Sequence, residues 1–334
     1  YAPRIGLFKM NKDGSVSLVK EITLKSPDGK EITGLPNPNG KGATGEIAYD
    51  LDGNILGTDE YGLDSEGIVA MKDGTFWISD EYGPHIVHYN ADGKQIERIS
   101  PFGMDTGKRH LPAVLARRRA NRGMEGLAIT PDEKTLVGIM QSTIFNPSKK
   151  EISNKQLVRI VTFDIKTGST KQYAYIQNKK TDSTCGITAL SNTEFVVIER
   201  DGKFSGEKEA HKYLFKIDLK DATDITGENP ESKEGLLING KTLEQCTTEE
   251  IEAAGIKPVK KEFLVDLVEY LPNKYPHDKL EGLWILDSNT IAVANDNDFA
   301  INVENNQLVQ KKLPGTDRID NDVIYVIKLP RSLR

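Results

Sequence analysis

Ser65-Glu66-Gly67-Ile68, Met124-Glu125-Gly126-Leu127, Thr184-Cys185-Gly186-Ile187 and Leu280-Glu281-Gly282-Leu283 are four versions of one phrase. Each is followed by a turn and an apolar run: Phe76-Trp77-Ile78, Leu136-Val137-Gly138-Ile139, Phe195-Val196-Val197-Ile198 and Thr290-Ile291-Ala292-Val293. Each run ends in polar residues, respectively Asp80-Glu81, Gln141, Glu199-Arg200 and Asn295-Asp296-Asn297-Asp298. After three of the four a further hairpin closes on Asn90, Asp164 or Asp218. That is a four-stranded unit. Its starts lie 59 (66 to 125), 60 (125 to 185) and 96 (185 to 281) residues apart. Four-stranded units of this length, repeated along a chain, are the blades of a β-propeller.

The rest of the sequence agrees with an all-β reading. Gly-containing turns such as Asp28-Gly29, Asp73-Gly74 and Asp92-Gly93 sit between apolar runs, the signature of hairpins. Helical signal is confined to two short segments, Leu111 to Ala120 and Thr247 to Ala254, the second with Thr247 or Thr248 as its cap. The sequence therefore predicts one domain over residues 1–334: a propeller of five to six four-stranded blades with inserted loops and short helices. The wide third interval calls for an insertion, about 221–260, or a degenerate extra blade. The first 60 residues read as the outer part of a blade whose inner strand lies elsewhere.

Composition narrows the function. The 334 residues carry 50 acidic against 44 basic side chains, a net charge of -6, which argues against a nucleic-acid partner. No apolar run approaches the roughly 20 residues of a membrane span. The chain opens Tyr1-Ala2-Pro3-Arg4, so the expectation is an exported protein, periplasmic or extracellular, whose signal peptide has been removed. Cys185 and Cys246 are too few for a disulfide scaffold; either one bridge or two buried thiols fits. There is no Gly-x-Ser-x-Gly elbow and no Walker loop.

Five stretches carry a family likeness: Gly62-Leu63-Asp64-Ser65-Glu66-Gly67-Ile68-Val69, Trp77-Ile78-Ser79-Asp80-Glu81-Tyr82-Gly83-Pro84, Asn121-Arg122-Gly123-Met124-Glu125-Gly126-Leu127-Ala128, Leu280-Glu281-Gly282-Leu283 and Asn295-Asp296-Asn297-Asp298-Phe299. In this order they resemble the phytase-like propeller family, also described as the esterase-like activity of phytase. The resemblance runs from about residue 45 to the C-terminus. It implies a propeller, export and action on an ester.

Equivalent blade starts converge near one end of a propeller's central channel. Glu66, Glu125 and Glu281 are expected to approach one another there, and Asp80, Glu199, Asp296 and Asp298 to collect where the inner strands end. Crowded carboxylates repel unless a cation lies among them, and a flexible set of hard oxygens suits calcium. Against this, a Glu at a strand start can bond neighbouring amides, and Cys185 leaves the ring incomplete. Glu81 and His85 are candidate general bases at the turn Asp80–His85. Arg122, three residues before Glu125, is the candidate anchor for an anionic group; the run Arg117–Arg119 reads as a solvated helix face. The expected activity is calcium-dependent hydrolysis of small anionic phosphate or carboxylic esters. The alternative is a non-catalytic propeller serving protein partners as a binding platform in an envelope or extracellular assembly, its metal structural.

Overall fold

The computed structural model describes residues 1–334 except 44, 51, 104–108, 272–274, 306 and 334. Three antiparallel meanders form complete four-stranded blades. The first runs through Ser65–Ala70, Phe76–Asp80, His85–Tyr89 and Gln95–Ile99. The second comprises Met124–Ile129, Thr135–Met140, Leu157–Asp164 and Thr170–Ile176. The third comprises Ser183–Ala189, Glu194–Arg200, Lys212–Asp218 and, after a long excursion, Lys260–Asp266. A fourth blade has three strands, Gly282–Ile285, Thr290–Ala294 and Ile324–Lys328.

The described residues thus form four blades, fewer than the five to six expected. The segments that would have supplied the others do not form blades of their own. Among the described residues, the N-terminal strands Arg4–Met10 and Val16–Thr23 pair only with each other. The chain between the third and fourth strands of the third blade supplies a two-residue hairpin, a 3-10 turn and the short helix Thr248–Ala253, capped reciprocally by Thr247 and Glu250. This insertion lies on the outer strand of the second blade: Ile225 N donates to Gln172 O (2.8 Å) and Val259 N to Ala174 O (2.8 Å). Its polar anchor is Glu244, fully buried against Arg159 (Nε–Oε1 2.7 Å). The Leu111–Ala120 segment becomes one 3-10 turn, Ala113–Arg117.

Blade packing follows the glycine of the repeated phrase. A Cβ on Gly67 would lie 2.5 Å from Leu127 N of the second blade, one on Gly126 3.1 Å from Ile187 N of the third, and one on Gly186 2.8 Å from Glu281 O at the start of the fourth. The repeated glycine is where the innermost strands of successive blades approach too closely for a side chain. Apolar faces of the blades then meet in two continuous cores, one joining the first three blades and one joining the third to the fourth.

Candidate functional site

The residue before each of those glycines is set apart by a β-bulge. Strand register slips between Ser65 and Ile68, between Met124 and Gly126, and between Thr184 and Gly186. A bulge leaves its extra residue unpaired and re-aims its side chain. Glu66, Glu125 and Cys185 are the residues so placed, and Glu281 precedes the fourth inner strand in the same position.

Two groups of ligand-type atoms result, each drawn within 4.8 Å: Asp64, Glu66 and Glu81 in one, Glu125, Cys185 and Glu281 in the other. They border a cavity of about 770 Å³ whose wall includes Asp64, Glu66, Glu81, Cys185, Glu281 and Lys279, with Tyr1, Tyr82, Trp284 and Phe299 among its aromatic residues. Glu125 lies just behind that wall, 2% exposed. Gln141 Nε2 bridges the groups, donating to Glu81 Oε1 (2.7 Å) and Glu125 Oε2 (2.9 Å). Arg200 binds Glu281 Oε1 through Nη2, while its buried Nε has no partner. The Asn121 amide aims one polar atom at both Glu81 Oε2 (3.2 Å) and Asp64 Oδ2 (3.1 Å).

The electrostatics record the crowding. Burial, then Glu125 and Asp64, push the Glu81 carboxyl up to about 10. Burial, then Glu125 and Glu281, hold Glu66 well above its usual range. Burial with Asp80 raises Asp64 to about 7, and burial with Glu281 raises Glu125 to about 7. Burial also raises Glu281, although Arg200 opposes it. Such a site is proton-loaded or cation-loaded at neutral pH; five bare carboxylates would repel one another strongly.

Other expected site residues are placed differently. Asp296 lines the cavity, paired with Lys279 Nζ (2.8 Å). Asp298 lines it too, held by Lys279 (2.5 Å) and Lys311 (2.8 Å). Asp80 turns away from the cavity: it accepts from Asp64 N and Gly83 N (2.8 Å each) and pairs with His85 Nδ1 (2.8 Å). Burial alone would raise Asp80, but the His85 bond holds it below the usual carboxylate value. His85 is fully buried between Asp80 and Arg98, and burial lowers its pKa, so the structure does not bring it to the cavity as a base. Glu199 is enclosed by Tyr175 Oη, Asn178 N (2.7 Å) and Lys261 Nζ (2.5 Å). Adjacent strand residues face opposite ways, and it is Arg200 that reaches the axis.

Arg122 donates to Ser183 Oγ (3.0 Å) and is not part of the cavity wall. Nor is Arg117–Arg119 a solvated face. Arg118 ties Tyr82 O (2.7 Å) and Gly42 O (2.5 Å), and Arg117 holds Pro147 O (3.0 Å). The two thiols are unpaired, Cys185 at the channel and Cys246 in the apolar cluster that the insertion forms with Leu157 and Ala174 of the second blade.

Asp64, Asn121, Gln141, Arg200 and Lys279 were not anticipated. Asp64 lies just before the first inner strand, two positions from Glu66 in the same family-like stretch. Gln141 and Arg200 occupy the place in their blades that Glu81 holds in the first.

The family model described as phytase-like, esterase-like activity of phytase, matches residues 1–299. The chain belongs to this family. A relative in Arthroderma benhamiae, described as an uncharacterized secreted protein, is 30% identical over 199 residues. That match takes in 49% of this chain and 38% of the relative's length. Among solved structures, a virginiamycin B lyase from Staphylococcus aureus with quinupristin is 12% identical at a TM-score of 0.35, covering 98% of this chain and 96% of that one. A Lactobacillus plantarum protein is 10% identical at a TM-score of 0.35, covering 97% and 68%. Among the described residues, no helix is long and apolar enough to cross a membrane.

Proposed function

We propose that this phytase-like propeller is an exported hydrolase whose axial cavity binds a divalent cation, calcium by its donors, and cleaves an ester beside it. The reading rests on one observation above all. Asp64, Glu66 and Glu81 converge on the cavity, and the Asn121 amide points at two of them. With its oxygen inward, Asn121 adds a fourth hard donor; with its nitrogen inward, it hydrogen-bonds the metal-free carboxylates. The residues therefore fit the ion in one amide orientation and its absence in the other.

A bound cation would polarise the ester oxygen and acidify a water. This chain's residues supply the rest. Glu81, with Oε1 held by Gln141, would hold and orient that water beside the cation through its carboxylate. Lys279 and Arg200 are already paired with acids, so a phosphate depends on the cation for counter-charge and a neutral carboxylic ester meets less repulsion. The open cavity favours this reading over a purely structural channel.

The test pairs binding with turnover. EDTA should lower the melting midpoint and calcium restore it, by about 2.7 kcal/mol at a hundredfold excess over Kd. Hydrolysis of p-nitrophenyl acetate should follow the same calcium dependence. Identical midpoints with and without EDTA remove the cation. A calcium effect on stability without turnover on any ester leaves the binding-platform reading.

A further inference from the structure

The ring of blades is open, and its own repeats show what belongs in the gap. Close packing runs from the first blade to the second, third and fourth, and no comparable packing joins the fourth to the first among the described residues. The consequence is visible at equivalent positions of the inner strands. Leu127 and Ile187, each facing the preceding blade, are both 5% exposed, whereas Ile68 of the first blade is 49% exposed. On the opposite face, Val69 in the first blade is 5% exposed, whereas its counterpart Trp284 in the fourth is 64% exposed. The atoms nearest a Cβ on Gly282 would all belong to its own blade's Ala294 (the closest at 2.9 Å), whereas each of its three counterparts has an atom of the next blade among its nearest.

The N-terminal hairpin supplies the second half of the argument. Tyr1-Ala2-Pro3-Arg4-Ile5 repeats the pattern of Tyr82-Gly83-Pro84-His85-Ile86, the segment by which the first blade enters its third strand. Both tyrosines line the axial cavity, and both segments lead directly into strands, Arg4–Met10 and His85–Tyr89. Arg4–Met10 and Val16–Thr23 thus match a third and fourth strand in sequence and in how they leave the cavity. In the complete blades the third strand pairs inward with a second strand; here that edge pairs with no strand among the described residues. Leu7, Phe8, Met10, Leu18 and Val19 stand exposed on the hairpin as a result.

We propose that the free edge of Arg4–Met10 and the exposed Ile68 face form a docking surface for an inner β-hairpin of this same repeat, supplied from outside residues 1–334. Its second strand pairs with Arg4–Met10, and its first strand, opening acidic-Gly-apolar, brings its glycine against Ile68 as Gly67 meets Leu127 between the first and second blades. The axis gains another carboxylate beside Glu66. A second copy of this chain fits less well, because its inner hairpins are already held within its own blades.

The probe is the chain's own inner hairpin, residues 124–140, fused ahead of Tyr1 by a short flexible linker. Hydrogen exchange of Arg4–Met10 amides, read by mass spectrometry on the full chain, is expected to slow at least tenfold relative to the unextended protein. A control extension of identical composition in scrambled order should give no slowing. Unchanged exchange with the native-order extension, or equal slowing by the scrambled one, overturns the proposal. So does a dimer of the unextended chain in light scattering whose Arg4–Met10 amides are already protected and become labile on dilution to monomer, since a second copy would then be the occupant.

Discussion

Replacing Glu81 by Gln should make the cation-free protein more stable. The Glu81 carboxyl is pushed up to about 10 by burial, then by Glu125 and Asp64, whereas an unfolded Glu titrates near roughly 4.3. A folded-state pKa above the unfolded one contributes stability that is complete at acid pH and lost as pH rises toward the folded value. At pH 8 the loss spans roughly 3.7 units at about 1.4 kcal/mol each, a ceiling of about 5 kcal/mol. Glu125 and Asp64 titrate with Glu81 and share that loss, leaving about 2–3 kcal/mol for Glu81 itself. Gln has the shape of the protonated acid, and its carbonyl can still accept from Gln141 Nε2. Unfolding a chain of 334 residues releases about 0.7 kcal/mol per kelvin at roughly 2.1 cal/mol/K per residue. Glu81→Gln should therefore raise the calorimetric midpoint by about 3–4 °C at pH 8 in EDTA, and the gain from calcium seen in the wild type should shrink. A variant that melts at or below the wild type in EDTA, or that gains as much from calcium, would refute the reasoning.

Two further outcomes follow from the same structure. With Asp64 and Glu125 each raised to about 7, the cation-free protein should lose urea stability between pH 5 and pH 8, and saturating calcium should flatten that slope; a pH-independent midpoint in EDTA contradicts the crowded-carboxylate account. Glu244→Gln strands the buried Arg159 charge and should cost about 3 kcal/mol by urea titration, whereas a loss under 1 kcal/mol would show that the insertion is held by its apolar contacts alone.

The sequence revealed the blades because every inner strand carries the same constraint. A glycine must stand where neighbouring backbones meet, and the residue before it is turned to the axis, so Glu-Gly recurs visibly. It did not reveal which of two adjacent polar residues faces inward where the second strand ends. That choice depends on where the strand stops pairing: Glu81 follows the last paired residue, Asp80, whereas Glu199 and Arg200 are both still paired. Period-two alternation then sends Glu199 into the blade and Arg200 to the axis. His85 misled for a related reason. It sits at a turn next to acidic residues, a pattern shared by catalytic bases and by histidines that lock a buried Asp, and only its enclosure by Asp80 and Arg98 separates the two. The blade count failed because a blade can be divided: a hairpin with the sequence of outer strands looks like part of a ring whether or not its inner strands are present.

The departures from the repeat also give the cavity a direction. Were Cys185 a Glu and Arg200 a Gln, the axis would carry an almost uniform acidic ring. Instead the third blade places a neutral thiol, its pKa raised by burial, and a guanidinium beside Glu281. The guanidinium satisfies part of the negative charge on that side, while Asp64, Glu66 and Glu81 on the first blade have no side-chain cation within ion-pairing distance among the described residues. Lys279, the remaining cation of the wall, is drawn off by Asp296 and Asp298. The unneutralised charge is therefore concentrated on the first blade, next to the open gap. A cation should settle there, off the propeller axis, with Lys279 on the far wall facing whatever the cation holds.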